Sequence, residues 1–265
     1  MTQAVNLPYK TLRVSNLRKS FRGVVAVDDV SFDVAQGEML ALIGPNGAGK
    51  STCFNMVGGQ FPPSAGSIFL TGADGKPVSI AGIGAQRIWR LGVGRTFQIT
   101  ATFTSMTVRQ NIQMALLSQK RMIWKFWSRA DHFLREEAGI LLEKVGLQDQ
   151  AERASGVLAY GDLKRLELAI ALAGEPKLLL MDEPTAGMAS GERTALMSLV
   201  RRLVSTTGIS VLFTEHDMDV VFDVSDRVLV LDRGRLIASG TGAEIKRNEQ
   251  VRAIYLGTGR TSGGH

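Results

Sequence analysis

Gly44-Pro45-Asn46-Gly47-Ala48-Gly49-Lys50-Ser51-Thr52 is the stretch on which the reading of this chain turns. It fits the pattern G-x-x-x-x-G-K-[ST], with the apolar run 39–43 before it and an apolar segment that reads as a helix after Lys50. Glycines let successive backbone N–H groups face phosphate oxygens with no Cβ in the way. The helix that follows turns the positive end of its dipole toward the same anion. In such a loop Lys50 would pair with β- and γ-phosphates, and Ser51 would offer a hydroxyl to Mg2+, a hard cation that prefers oxygen ligands. A dinucleotide-binding turn would instead need G-x-G-x-x-G. Gly82-Ile83-Gly84 and Gly92-Val93-Gly94 both lack the third glycine, and neither follows a convincing strand.

Working outward, residues 12–17, 25–34 and 39–43 read as short strands. Residues 177–181, 211–214 and 227–231 are continuous apolar runs of the kind buried on both faces of a parallel sheet. Between Ala189 and Gly208, Leu196, Leu199, Val200, Leu203 and Val204 recur at three and four residues, which puts them on one helical face. Strand, helix, strand in this order predicts an α/β core with right-handed crossovers. Residues 106–173 contain few β-like runs, and Leu163, Leu166, Ile170 and Ala173 form a helical stripe, so a helical subdomain is predicted within the core. The expected division is one domain over 10–258, with its core at 10–100 and 174–258, the helical subdomain at 101–173, and a flexible Gly/Ser-rich tail at 259–265.

Residues 178–181 run straight into Asp182 and Glu183. Unpaired carboxylates are costly to bury, so the two acids belong at the exposed end of a strand, where an α/β sheet binds its ligands. Asp182 could hold Mg2+ through water, and Glu183 could orient or deprotonate the water that attacks a γ-phosphate. Taken without the glycine loop, the same pair would read as a solvated turn.

With these residues the chain resembles the ATP-binding cassette family over almost the whole span from Leu12 to Gly257. The resemblance implies a P-loop NTPase fold with a mostly parallel sheet, an N-terminal antiparallel β part and an inserted helical subdomain. It also implies ATP and Mg2+ as ligands. Phe21 matches the aromatic residue that stacks on adenine, with a core phenylalanine as the other reading. Gln98, within Arg95-Thr96-Phe97-Gln98, matches the glutamine that senses Mg2+ and the γ-phosphate. Leu158-Ala159-Tyr160-Gly161-Asp162 stands where the family carries Leu-Ser-Gly-Gly-Gln, so backbone groups near Tyr160 and Gly161 would meet the γ-phosphate of a partner's nucleotide. Ala159 lacks the usual hydroxyl and Asp162 replaces the glutamine. Residues 186–189 match the dimer-contact loop, with Ala189 where many members have aspartate, and His216 matches the histidine at the γ-phosphate. The resemblance further implies two cassettes meeting head to tail, closing on ATP and opening after hydrolysis.

Within the family, Arg95-Thr96-Phe97-Gln98, the Tyr-Gly signature followed by Lys164-Arg165-Leu166-Glu167, Glu215-His216-Asp217-Met218 and Tyr255-Leu256-Gly257 are similar to the branched-chain amino-acid importer group. That implies transmembrane permease subunits, a second cassette and an extracytoplasmic solute-binding protein as partners, with this chain peripheral on the cytoplasmic face of the inner membrane. Another solute, a non-transport member of the family, or a subunit with a degenerate site are the competing readings. A single cassette without long heptad segments argues against nucleic-acid work. Composition agrees: 265 residues with 45% hydrophobic content suffice for a sizeable core. The one cysteine, Cys53, forms no internal disulfide, residues 1–10 lack a signal-like apolar core, and no apolar run is long enough to span a bilayer. The net charge of +6 suits an anionic partner without naming it. Residues 119–129 mix Lys120, Arg121, Lys125 and Arg129 with Ile123, Trp124, Phe126 and Trp127, a combination that suits a membrane face or an ordinary amphipathic helix equally.

Overall fold

The computed structural model describes residues 10–72, 74–96, 102–120 and 134–257. Gln98, most of the basic aromatic stretch and the tail at 259–265 lie outside the described residues.

The long strands β1 (Lys10–Phe21) and β2 (Val24–Ala35) form an antiparallel pair, and β1 pairs on its other edge with β4 (Ala65–Thr71), itself paired with β5 (Pro77–Ser79). This is the expected antiparallel part, extended by two strands that the sequence reading did not place. A second sheet has the order β10 (Arg235–Gly240), β9 (Arg227–Asp232), β3 (Met39–Ile43), β8 (Ser210–Thr214), β7 (Leu178–Asp182), β6 (Val93–Thr96). Its pairings are parallel except for the β9–β10 hairpin. Gly94, in the stretch rejected above as a dinucleotide-binding turn, lies inside β6.

Strand periodicity explains why β3, β7, β8 and β9 are apolar without interruption. Met39, Ala41, Ile43, Leu179, Met181, Val211, Phe213, Val228 and Val230 face one core cluster, and the residues between them face a second. Helices α3 (Val108–Gln119), α4 (Arg135–Val145), α5 (Tyr160–Leu172), α6 (Ser190–Thr207) and α7 (Met218–Val224) contribute to the first cluster. Helix α1 (Lys50–Val57) and the antiparallel sheet cover the other face, through Phe54, Met56, Leu12, Val14 and Ile68. The remaining α-helices of the described residues are α2 (Ala85–Arg90), α8 (Gly242–Arg247) and α9 (Glu249–Gly257).

The stripe read on 189–208 is α6, with all five predicted residues buried, and Gly208 ends it at φ 71°, where a side chain would be strained. Helix α3 starts with a capping box in which the Gln110 amide N–H donates to the Thr107 hydroxyl and the Thr107 N–H to the Gln110 side chain. Among the described residues no helix is long and apolar enough to cross a membrane.

One surface clamp holds the sheet to α6. Asp226, just before β9, accepts from the Met39 amide at 2.8 Å and from both terminal nitrogens of Arg201 at 2.7 Å. Burial raises the Asp226 pKa, but the Arg201 bonds and the Met39 N–H outweigh it, and the net shift is downward from 3.8. A depressed folded pKa means stability that is present above the unfolded value and lost as pH falls through the folded one. Asp226→Asn should therefore cost about 1 kcal/mol, allowing for solvent screening of a part-exposed pair. Denaturant titration should show that gap constant from pH 7 to about 5 and closing only below the ordinary aspartate range.

Candidate active site

β3 feeds the loop 44–49, and α1 begins at Lys50. A Cβ on Gly44 would stand 2.2 Å from the Leu231 carbonyl oxygen. One on Gly49, whose φ is 101°, would stand 2.5 Å from that of Ala26. The loop is also bonded from below: Gly234, in the β9–β10 turn, donates its amide to the Ala48 carbonyl at 2.9 Å and accepts from the Asp28 amide at 2.8 Å. Glycine is thus required by crowding on the protein side of the loop, while Asn46, Gly47 and Ser51 are exposed on the other. The Lys50 ammonium, buried, donates to the carbonyls of Gly44 at 2.6 Å and Pro45 at 3.1 Å. Burial lowers its pKa, and the negative charges of Glu183 and Asp182 act in the opposite sense, so both carboxylates are near enough to be felt.

Those carboxylates are set by the neighbouring ends of β7 and β8, where Asp182 registers with Thr214. The Thr214 hydroxyl donates to Asp182 Oδ1 at 2.7 Å, and the Glu183 amide donates to the Thr214 carbonyl at 3.1 Å. Glu183 adopts φ 48°, unusual for a side-chain-bearing residue, and its Oε1 meets His216 Nε2 at 2.7 Å. Behind them, buried Glu215 accepts from the amide and hydroxyl of Thr185 at 2.8 and 2.6 Å, and its other oxygen accepts from the His216 amide at 3.2 Å. Arg95, at the end of β6, donates to Asn55 at 2.8 Å, lies 3.7 Å from Asp182 and stacks over Phe54 at 5.1 Å. Burial lowers the Arg95 pKa, opposed by the Asp182 charge.

The structure therefore brings together Gly44, Lys50, Asp182, Glu183 and His216. Phe21 is 43% exposed and meets Phe61 edge-on at 5.4 Å, with Lys19 Nζ about equally far from both rings at 5.1 and 5.0 Å. This overturns the core-phenylalanine alternative. Tyr160 and Gly161 open α5 and meet a different part of the chain: the Tyr160 hydroxyl donates to the Ala186 carbonyl at 3.1 Å, and Gly161 lies against Glu192 and Met188. Arg95, Thr214 and Glu215 were not singled out as site residues. Glu215 carried a signal, an acid directly after an apolar run, whereas Thr214 carried none. Among the described residues no group of three or more His, Cys, Asp or Glu side chains is placed to hold a metal by itself. The Ser51 hydroxyl and Asp182 carboxylate are oxygen donors of the kind that complete a Mg2+ shell shared with phosphates and water.

A glycine loop and lysine facing strand-end carboxylates on a parallel sheet define a P-loop nucleoside triphosphatase. Residues 27–186 match the family model for ABC transporters, and residues 235–261 match one described as branched-chain amino acid ATP-binding cassette transporter. The chain is 37% identical over 253 residues to LivG of Salmonella typhimurium and to BraF of Pseudomonas aeruginosa, both high-affinity branched-chain amino acid transport ATP-binding proteins. In each case 93% of this chain and 97% of the relative are covered. A crystallised ATP-binding cassette of an ABC transporter in its ADP conformation superposes with a TM-score of 0.82 at 30% identity, covering 94% of this chain and 99% of that one. The chain belongs to the ATP-binding cassette transporter family, as one of its nucleotide-binding, ATP-hydrolysing subunits.

Gly49→Ala forces both a strained φ and the 2.5 Å approach to Ala26. It should weaken binding of a fluorescent ATP analogue by at least about tenfold and lower Tm by several degrees. Cys53, fully buried on α1, has its thiol pushed up to about 12 by burial. It should resist a thiol-specific chromogenic reagent in the native protein and react at once in denaturant.

Proposed function

We propose that this subunit drives an importer of branched-chain or closely related hydrophobic amino acids. The observation that carries this reading is the match of residues 235–261 to the branched-chain model, joined to a likeness to LivG and BraF that runs the length of both relatives. Its partners would be transmembrane permease subunits, a second cassette and an extracytoplasmic solute-binding protein. Its place would be the cytoplasmic face of the inner membrane, with no role for nucleic acid. In this reading residues 10–258 form one cassette domain, with a helical subdomain at about 101–173.

Residue roles follow the geometry. Phe21, exposed beside Phe61, offers a face for adenine. The loop from Gly44 through Pro45, Asn46, Gly47, Ala48 and Gly49 turns N–H groups to the phosphates, and Thr52 continues α1 behind it. Lys50 exchanges its two carbonyl partners for phosphate oxygens, a change that charge favours. Ser51, Asp182 and Gln98 would hold Mg2+, which supplies charge neutralisation at the phosphates when bound. Glu183 accepts the proton of the attacking water or orients it. Its contact with His216 at 2.7 Å holds the carboxylate, and the imidazole would meet the γ-phosphate. The backbone N–H groups near Tyr160 and Gly161 at the start of α5 would face the ATP of the partner cassette, while the Tyr160 side chain is turned to Ala186 of its own chain.

Glu183→Gln should retain ATP binding and lose at least about a hundredfold in kcat, as removal of a catalytic base does. Hydrolysis at the parental rate in that variant would remove Glu183 from the chemistry. The solute is tested by reconstituting the subunit with its permease partners and asking whether leucine, isoleucine or valine stimulates ATP turnover in the presence of binding protein.

A further inference from the structure

The helix that opens at Tyr160 is tied, inside one chain, to the loop that carries the hydrolytic carboxylate. The Tyr160 hydroxyl donates to the Ala186 carbonyl at 3.1 Å, and its ring covers Gly187, where φ is 79° and an added Cβ would stand 3.7 Å away. Gly161 packs at the same place against Glu192 and Met188. From Ala186 the connection to the reacting groups is short. Its amide donates to the Glu183 carbonyl at 3.1 Å, and Thr185 between them is held twice by Glu215, which also accepts from the His216 amide. On the far side of the loop Arg193 donates to the Met188 carbonyl at 2.7 Å and pairs with Asp217 at 2.8 Å. The loop 183–189 is thus pinned to the His216 segment on one flank and, through one phenol, to α5 on the other.

The ring of Tyr160 is itself supported. Lys164, one helical turn on, holds its ammonium 5.4 Å from the ring centroid while bonding Glu167 at 3.0 Å, and both charged side chains are only 7% exposed. One oxygen of Glu167, Oε1, finds no hydrogen-bond partner among the described residues. A buried ion pair with an unsatisfied oxygen is a poor source of stability, and this one stands one turn into α5 with its ammonium against the Tyr160 ring. Tyr160 is otherwise 44% exposed, and its hydroxyl bonds to this loop.

We propose that the Tyr160 hydroxyl is a positioning group for hydrolysis, holding the loop 183–189 so that the Glu183–His216 pair is aligned when α5 is seated. The inference rests on the assignment of Glu183 above and adds to it a residue that acts through the loop. Because α5 also carries the signature segment, a force that moves the start of that helix reaches Glu183 in part through a bond that one substitution removes.

Tyr160→Phe removes the hydroxyl and keeps the ring over Lys164. On the purified full chain the variant should show kcat for MgATP hydrolysis reduced about three- to tenfold, the loss expected for one hydrogen bond. KM and the affinity for a fluorescent ATP analogue should stay within about twofold of the parent, and Tm within about 1 °C. In a Glu183→Gln background the same substitution should cause no further loss, since a group that acts through Glu183 has nothing left to align. An unchanged kcat overturns the proposal. So does a fall in kcat accompanied by a lower Tm, which marks a structural bond, or by weakened nucleotide affinity, which marks a direct phosphate contact. Additive losses in the double variant overturn it as well. Glu183→Gln alone at parental activity would sink the assignment of Glu183 and this inference together. An inactive Glu183→Gln with a normal Tyr160→Phe sinks only the latter.

Discussion

Lys50 is a cation in an unfavourable place: buried at the start of a helix, its first turn supplying no acidic partner, and lowered in pKa by loss of water. Its position is tolerable because two backbone carbonyls accept its hydrogen bonds and two carboxylates at the C-terminal end of β7 lie close by. Each of those supports requires the sheet. The carbonyls of Gly44 and Pro45 point at Lys50 because the loop between β3 and α1 is wedged against Leu231 and Ala26, and the carboxylates arrive because β7 and β3 both pair with β8. A triphosphate entering from the open side offers the same ammonium a stronger partner than either carbonyl. The arrangement is therefore poised for exchange, and the energetic penalty of burying Lys50 is part of what makes an anion welcome.

Where a residue's environment follows from its neighbours along the chain, the sequence was readable. β3, β7, β8 and β9 are buried on both faces and are written as unbroken apolar runs, and α6 carries its stripe openly. Lys50, Asp182, Glu183 and His216 sit at the ends of those same runs, so position in the chain already indicated position at the site. The missed strands are of another kind. β4 opens on Ala65 and Gly66, β5 has three residues and β6 four, including Gly94, and β10 is an edge strand of intermediate burial with Gly240 at its end. Their conformation is imposed by a partner strand rather than by their own composition. Arg95, Thr214 and Glu215 were missed for a related reason. An arginine, a threonine and a glutamate have many ordinary uses, and only the meeting of β6, β7 and β8 puts them around Asp182 and Thr185.

The C-terminal part of the chain, where residues 235–261 match the branched-chain model, is also fastened to the phosphate loop. β10 pairs with β9, and the turn between them supplies the Gly234 amide that holds Ala48 in the phosphate loop. Arg235, the first residue of β10, reaches Asp28 on β2 at 2.7 Å, so the turn is fastened to the antiparallel sheet from its other side. Further on, Tyr255 of α9 is half-buried against the core, and its hydroxyl is raised in pKa by burial while the Gly44 backbone beside it acts in the opposite sense. The segment that distinguishes this subgroup is thus in contact with the first glycine of the loop and, through Gly234, with its fifth residue. A substitution at Tyr255 that leaves every phosphate-binding residue intact therefore still alters what the loop rests on.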